Sequence, residues 1–205
     1  APHNLNEVLD ASLLLLQKEG KEEIVTDENG AEIKRPISVS VEEIMEIIKG
    51  PDFPTGGMIF DSNNITEVYK KGKGWIVVRG KTHDEVYDGA HVIVVDEIPY
   101  LVNKANLVSK IGELVVDKKI EGINDIRDES NKNKIRIAIY LKKGVDPDAI
   151  LMQLFKFTEL QTNFNLNNVS LIDQGTQPRL LNIKDLLMEF VTFRRGVVYR
   201  RSVFQ

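Results

Sequence analysis

Apolar residues recur every three or four positions in several stretches of the chain, a spacing typical of amphipathic helices. The pattern predicts helices at about residues 5–18, 41–48 and 103–116, and further helices that begin near residues 147 and 183. Ser40 with Glu43 has the spacing of a capping box, and Asp146 precedes Pro147 as an N-cap precedes a first-turn proline. Start signals and apolar periodicity therefore agree on these helices.

Other stretches carry strand patterns. Residues 91–98 form a nearly continuous apolar run, typical of a strand that is buried on both faces. Residues 135–142 alternate between apolar and polar side chains and predict a half-buried strand, and residues 169–172 predict a shorter one. The polar stretch 18–36 predicts a solvated surface hairpin. Because strands and helices alternate without strict βαβ repetition, we predict an α+β fold: a mixed sheet with flanking helices.

The stretch from Gly50 to Lys81 combines a turn rich in proline and glycine, a short apolar strand, a short helix, a Gly-Lys-Gly turn and a second strand. Five basic residues follow Ile65 within this stretch against one acidic residue, Glu67; they are Lys70, Lys71, Lys73, Arg79 and Lys81. A compact basic surface of this kind suits a polyanion such as nucleic acid.

Overall charge hides this local basic character. The 205-residue chain has a formal net charge of −4, but residues 1–56 carry 12 acidic and 5 basic side chains, whereas residues 57–205 carry 19 and 22. Local clusters therefore decide whether the chain suits an anionic partner. The absence of cysteine excludes disulfides and thiolate metal sites. No apolar run reaches the ~18–20 residues of a membrane span, so no membrane partner is expected.

Five separated blocks resemble a known family. They are GPDFPTGG, NNITEVYKKGKGWIVVRG, DEIPYLVNKANL, EGINDIRDES and FRRGVVYRRSVF, in this order along the chain. Together they resemble the A subunit of bacterial DNA gyrase, with the A subunit of topoisomerase IV as a near relative. The resemblance runs from about Pro2 to the end of the chain. The sequences of the third and fourth blocks favour gyrase, but the chain as a whole does not distinguish gyrase from topoisomerase IV.

The resemblance implies a domain organisation. Residues 1–56 would be helical linkage from a winged-helix domain that lies before Ala1, with a surface insertion at about residues 18–36. Residues 57–182 would form the tower-like α+β domain of these enzymes. Residues 183–205 would begin the long helix of a coiled-coil arm.

The resemblance also implies a function for the parent protein. These enzymes are ATP-dependent type II topoisomerases, which pass one DNA duplex through a transient double-strand break and so change supercoiling. Their A subunits form a homodimer and join two B subunits (A2B2), and Mg²⁺ and ATP belong to the B subunit, so no cofactor is expected in this chain. Double-stranded DNA is the expected partner, and the expected location is the bacterial cytoplasm, associated with the nucleoid.

Ile65 is open to two interpretations. Its spacing to Val68 and Tyr69 is that of a helical apolar stripe, which predicts a core residue. The resemblance instead implies the isoleucine that these enzymes wedge between base pairs, because Ile65 lies four residues before the tyrosine that precedes the Gly-Lys-Gly turn. A wedge of this kind unstacks the bases and kinks the duplex.

Basic residues would neutralise phosphates of the bound duplex. The resemblance implies backbone contacts for Lys71, Lys73, Arg79, Lys81 and Lys104. A solvated surface charge explains each of them about equally well when it is taken singly.

The resemblance implies that this chain binds and bends the duplex, and no catalytic residue is expected in it. In the family the nucleophilic tyrosine follows an arginine, whereas the five tyrosines here follow valine, proline or isoleucine, so the nucleophile would lie outside residues 1–205. Asp146 and Asp148 resemble a metal-binding pair, but the intervening proline favours helix capping. Two alternatives to a DNA-bending module stay open: a scaffold or oligomerisation piece of a topoisomerase IV A subunit, and a self-contained enzyme that uses the acidic residues Asp125, Asp128 and Glu129.

Overall fold

A computed structural model describes residues 2–26, 32–60, 62–132, 134–172 and 175–204. The chain folds into two compact units, each built from separate stretches of sequence. The first unit comprises residues 1–52, 62–75 and 165–205, and the second comprises residues 53–61 and 76–164. The linear division into residues 1–56, 57–182 and 183–205 stays a prediction.

The helices are α1 (Leu5–Lys18), α2 (Val41–Ile47), α3 (Ser62–Lys71), α4 (Lys104–Val116), α5 (Pro147–Phe157) and α6 (Ile183–Val203). The strands are β1 (Glu22–Thr26), β2 (Glu32–Pro36), β3 (Met58–Phe60), β4 (Lys73–Arg79), β5 (Lys81–Tyr87), β6 (Ala90–Glu97), β7 (Ile123–Asp128), β8 (Ile137–Leu141), β9 (Gln161–Asn167), β10 (Val169–Ile172) and β11 (Gln177–Leu180). None of the helices within the described residues is long and apolar enough to cross a membrane.

Helices dominate the first unit. Helix α1 packs against α2 and α6, and α2 also packs against α3. The predicted capping box is present at α2, where the Ser40 hydroxyl accepts from Glu43 N and the Glu43 carboxylate accepts from Ser40 N. Antiparallel hairpins are formed by β1 with β2 and by β10 with β11. The middle of the predicted hairpin over residues 18–36, residues 27–31, lies outside the described residues.

The second unit is built on an antiparallel sheet with the strand order β5-β6-β8-β7. Side chains from one face of β6 and β8 pack with α4 and α5 in a single apolar cluster, which includes Ile93, Leu107, Ile111, Ile139 and Leu154. Full burial of such a side chain contributes about 1.5–3 kcal/mol. Val92, Val94 and Ala138 form a smaller cluster that Tyr140 covers. Strand β6 is therefore buried on both faces, as its apolar run predicted.

A second sheet has the order β3-β4-β9, in which β3 pairs antiparallel with β4. The α+β class is confirmed, and so are the six predicted helices, including the short helix α3, with α6 continuing through Gly196. Asp125 and Asp128 belong to strand β7, which extends the sheet by pairing with β8, and the chain leaves this strand at Glu129.

Candidate nucleic-acid interface

Helix α3 holds Ile65 in the protein core. The Ile65 side chain is only 4% exposed, and Val68 and Tyr69 on the same helix are buried as well. The Tyr69 hydroxyl lies 2.5 Å from Nε2 of His3, and burial raises the pKa of this tyrosine above its ordinary value. A side chain that inserts between base pairs must first be exposed. The interpretation of Ile65 as a wedge is therefore corrected in favour of the core position that its helical spacing predicts.

Two lysines at the end of α3 differ in how far the protein neutralises them. Lys70 Nζ lies 2.5 Å from Glu42 Oε1 and 3.2 Å from Glu67 Oε1, and these hydrogen bonds, first of all the one to Glu42, raise the pKa of Lys70. Lys71 Nζ is 3.9 Å from Glu67 Oε2, and its side chain is 68% exposed. Lys71 is therefore the more available of the two for an external anion.

Gly72 forms the turn between α3 and β4. Its φ is +71°, and a Cβ at this position would lie 2.2 Å from the backbone oxygen of Leu181. The Gly72 oxygen accepts a hydrogen bond from Asn168 N at 2.8 Å. The turn is shorter than the predicted Gly-Lys-Gly turn, since β4 already begins at Lys73. The Lys73 side chain is exposed, and no carboxylate in the described part of the chain forms an ion pair with it.

Arg79, at the end of β4, has an unusual environment within the second unit. Its guanidinium carbon lies 3.6 Å from the ring centroid of Phe60 and 4.7 Å from that of Phe155. Arg79 Nε donates to Gln161 Oε1 at 2.6 Å. Arg79 is thus half-buried and held in place, in contrast to the solvated surface charge that was the alternative interpretation.

Lys81 opens β5 and is more loosely held. Its Nζ is 3.8 Å from Glu97 Oε1, and more than half of the side chain is exposed. The other oxygen of Glu97 accepts a hydrogen bond from Gly57 N at 2.6 Å. Because Glu97 is divided between these two partners and the lysine distance is long, Lys81 remains accessible to an external anion.

Lys104 is committed to an internal partner. It is the first residue of α4, and its Nζ lies 2.7 Å from Asp128 Oδ2. This hydrogen bond is the main cause that lowers the pKa of Asp128 to about 2. A phosphate contact by Lys104 would have to compete with Asp128.

A polar network on the sheet of the second unit was missed by the sequence analysis. His83 Nδ1 lies 2.5 Å from Asp96 Oδ2, and its Nε2 lies 2.9 Å from Glu85 Oε1. Arg136 donates from Nη1 and Nη2 to the two oxygens of Glu85, at 3.0 and 2.8 Å, and from Nε to Glu129 at 2.9 Å. Hydrogen bonding to Arg136, and secondly to His83, lowers the pKa of Glu85 to about 2. Strand β5 was not predicted, so the residues that meet across β5, β6 and β8 could not be paired.

This network is unsuited to metal binding, because its oxygen atoms already accept from cationic groups. In the described ranges of the chain, no group of three or more histidine, aspartate or glutamate side chains has the arrangement of a metal site.

The basic residues thus fall into two groups. Lys70 and Lys104 are neutralised by nearby carboxylates. Lys71, Lys73 and Lys81 are exposed and weakly paired or without an ion pair in the described structure, and Arg79 contacts rings and an amide. Exposed lysines act as point charges toward phosphates, whereas arginine adds a planar fork of donors. Each residue of the second group can therefore bind a polyanion without breaking a strong internal ion pair.

Comparison with known proteins identifies relatives of the whole chain. Residues 1–205 match the family described as the A subunit of DNA gyrase/topoisomerase IV. The DNA gyrase A subunit of Neisseria gonorrhoeae is 46% identical over 207 residues, which cover 100% of this chain and 20% of that protein. The corresponding subunits of Aeromonas salmonicida and Granulibacter bethesdensis are 42% and 41% identical, over 100% and 99% of the chain. The chain spans about a fifth of the length of these relatives.

Proposed function

Because the chain belongs to the family of DNA gyrase and topoisomerase IV A subunits, we propose that it is a duplex-binding part of a type II topoisomerase. The observation that carries the proposal is the match of all 205 residues to this family. The exposed basic residues of the candidate interface support it, since phosphate neutralisation supplies most of the sequence-independent affinity for DNA.

The proposal extends to the parent enzyme. The relatives named above are gyrase subunits, which favours gyrase over topoisomerase IV. The intact A subunit would dimerise and join two B subunits, which supply ATP hydrolysis and Mg²⁺. The assembly would pass one duplex through a double-strand break in another, in the bacterial cytoplasm at the nucleoid. Within this assembly the chain would hold DNA and carry out no chemistry itself.

Phosphate contacts carry DNA binding in this proposal. Lys71, Lys73 and Lys81 would act as mobile cations along the backbone, and Arg79 would act from a fixed position. Lys104 is the weakest candidate, because Asp128 already neutralises it. Ile65 has no role in binding, since its side chain is buried.

The salt dependence of duplex binding tests the proposal. We expect fluorescence anisotropy with a labelled duplex of mixed sequence to show affinity that falls steeply between about 50 and 200 mM salt. A variant with Lys71→Gln, Lys73→Gln and Lys81→Gln should bind at least about tenfold more weakly at about 100 mM salt. The slope of log affinity against log salt should decrease by about 2 to 3, since each lost phosphate contact contributes about 0.9.

The control variant removes the same charge elsewhere. Lys110→Gln, Lys118→Gln and Lys119→Gln alter lysines in or just after α4, two of which pair with neighbouring acids. This variant should keep the wild-type slope. Equal losses in both variants would show only a general charge effect, and a wild-type chain without salt-dependent affinity would refute DNA binding. Duplex bending stays a prediction, which energy transfer between dyes at the two ends of a bound duplex would measure.

A second candidate function is a scaffold for protein contacts. Helix α6 exposes a series of apolar side chains, which continues just past its end, namely Phe190, Phe193, Val198, Tyr199, Val203 and Phe204. Aromatic side chains such as these are enriched in protein interfaces. Sedimentation analysis separates this function from the first: a chain that self-associates through α6 and ignores DNA would support the scaffold alone.

A further inference from the structure

The second unit contains three arginines, and one of them has different neighbours from the other two. Arg127 pairs with Asp125 at 2.8 Å, and Arg136 pairs with Glu85 and Glu129. Arg79 has no carboxylate within ion-pair distance in the part of the chain that the structure describes. Its neighbours are two phenyl rings and one neutral amide. Among the described residues, Arg79 is therefore a half-buried cation without a neighbouring counter-charge.

The contacts of Arg79 also fix its orientation. The Phe60 ring lies against the guanidinium at van der Waals distance, although 51% of this phenylalanine is exposed to solvent. Nε of Arg79 donates to Gln161, while Nη1 and Nη2 make no hydrogen bond to the described residues. An arginine fork with a fixed plane, whose two terminal nitrogens make no hydrogen bond to the described residues, matches the two non-bridging oxygens of a phosphate.

We propose that Arg79 is the centre of a preorganised phosphodiester-binding site, with Phe60, Phe155 and Gln161 as positioning residues. The inference rests on the proposed DNA binding and assigns it one rigid contact. Nη1 and Nη2 donate to a phosphate of the duplex, and the phosphate supplies the negative charge that the described residues around Arg79 do not provide. Preorganisation favours this contact, because less side-chain freedom is lost on binding than with a flexible lysine.

Gln161→Glu is the sharpest test, because it places a carboxylate where Nε now finds an amide oxygen. An internal counter-charge should raise the Tm of the chain and reduce its duplex affinity by about threefold to tenfold, as a charged neighbour competes with phosphate. Gln153→Glu on α5 changes the net charge equally, and we expect it to lower affinity by less than about twofold. If Gln161→Glu leaves both Tm and affinity at the values of Gln153→Glu, the proposal is overturned.

A second pair of variants changes no charge. Phe60→Leu removes the ring but keeps an apolar residue, and we expect about threefold weaker duplex binding. Met58→Leu alters an exposed residue two positions earlier on β3 and should bind as the wild type does. Arg79→Lys keeps the charge but loses the fork, and should weaken binding about threefold to tenfold. Wild-type affinity in both Phe60→Leu and Arg79→Lys would contradict a positioned contact.

The outcomes separate this inference from the proposed function. A wild-type chain that binds duplex with the expected salt slope, together with site variants that match their controls, would overturn the Arg79 site alone. A wild-type chain without duplex affinity would overturn both. Inorganic phosphate identifies the source of the phosphate: a rise in Tm in millimolar phosphate, relative to chloride at equal ionic strength, would indicate a free-phosphate site and contradict the assignment to DNA.

Discussion

Arg136 and Arg79 are both partly buried arginines of the second unit, but they have opposite surroundings. Arg136 directs all three of its nitrogen atoms to carboxylates, and these contacts hold its pKa above the ordinary arginine value. Arg79 directs one nitrogen to an amide and rests on aromatic rings. Carboxylates neutralise the first charge, whereas no carboxylate of the described residues pairs with the second.

Structural charges of this protein have a carboxylate partner, and functional charges have none among the described residues. Lys104 belongs with Arg136, because Asp128 neutralises it, and Lys73 belongs with Arg79, because no ion pair joins it to another described residue. Removal of a neutralised charge leaves an unpaired carboxylate and should lower stability. Removal of an unneutralised charge should lower affinity for the anionic partner and leave stability intact.

The largest effect is expected for Arg136→Met, which leaves Glu85 with His83 and Glu129 with Tyr140 but removes the arginine that both share. We expect a decrease in Tm of about 3–6 °C, measured by circular dichroism, and a duplex affinity within about twofold of wild type. Arg127→Met is the matched control. Its ion pair with Asp125 spans two residues on an exposed surface, so the Tm should change by less than about 2 °C. A strong loss of duplex affinity in Arg136→Met would show that this neutralised arginine also takes part in DNA binding.

A smaller effect should appear in acid. The pKa values of Glu85 and Asp128 are lowered to about 2 in the folded chain, from ordinary values of 4.5 and 3.8. Because both are lowered, these groups contribute stability that is present above about pH 4.5 and lost as the pH falls toward about 2. The urea midpoint should therefore decrease through this window. In Arg136→Met the decrease should be shallower, and an unchanged profile would show that the Glu85 contact contributes no acid sensitivity.

The smallest effects should separate two single lysines. Lys73→Gln should weaken duplex binding about twofold to fivefold at about 100 mM salt without a change in Tm. Lys104→Gln should leave binding unchanged and lower the Tm by about 1–2 °C, because Asp128 loses its partner. If the two variants exchange these phenotypes, the distinction between neutralised and unneutralised charges fails for this protein.

Local signals were sufficient to predict much of the fold. Helices α2 and α5 begin directly after their capping residues, Ser40 and Asp146. These starts were predictable because a capping motif spans only a few neighbouring residues. Strand β6 was recognised from its apolar run. Strands β5, β7, β9 and β11 were missed, because their polar sequences, such as KTHDEVY, become strands only through pairing with a neighbour.

The candidate site was less predictable. Lysines near a glycine turn suggest an exposed basic surface. The partners of the basic residues, however, come from distant parts of the sequence, as Gln161 does for Arg79 and Asp128 for Lys104. Ile65 shows the opposite case. Its spacing to Val68 and Tyr69 indicated the core, and the resemblance to a family led away from that correct local signal.

The close approach of Gly72 to Leu181 has a mechanical consequence. Leu181 immediately precedes the cap of α6, and the Gly72 turn carries Lys71 on one side and Lys73 on the other. Gly72 has no side chain between its backbone and Leu181, and its oxygen accepts a hydrogen bond from Asn168 N. A tilt of α6 that displaces Leu181 should therefore displace the basic turn as well. A movement of helix α6 would therefore shift Lys71 and Lys73, and their charges would stay the same.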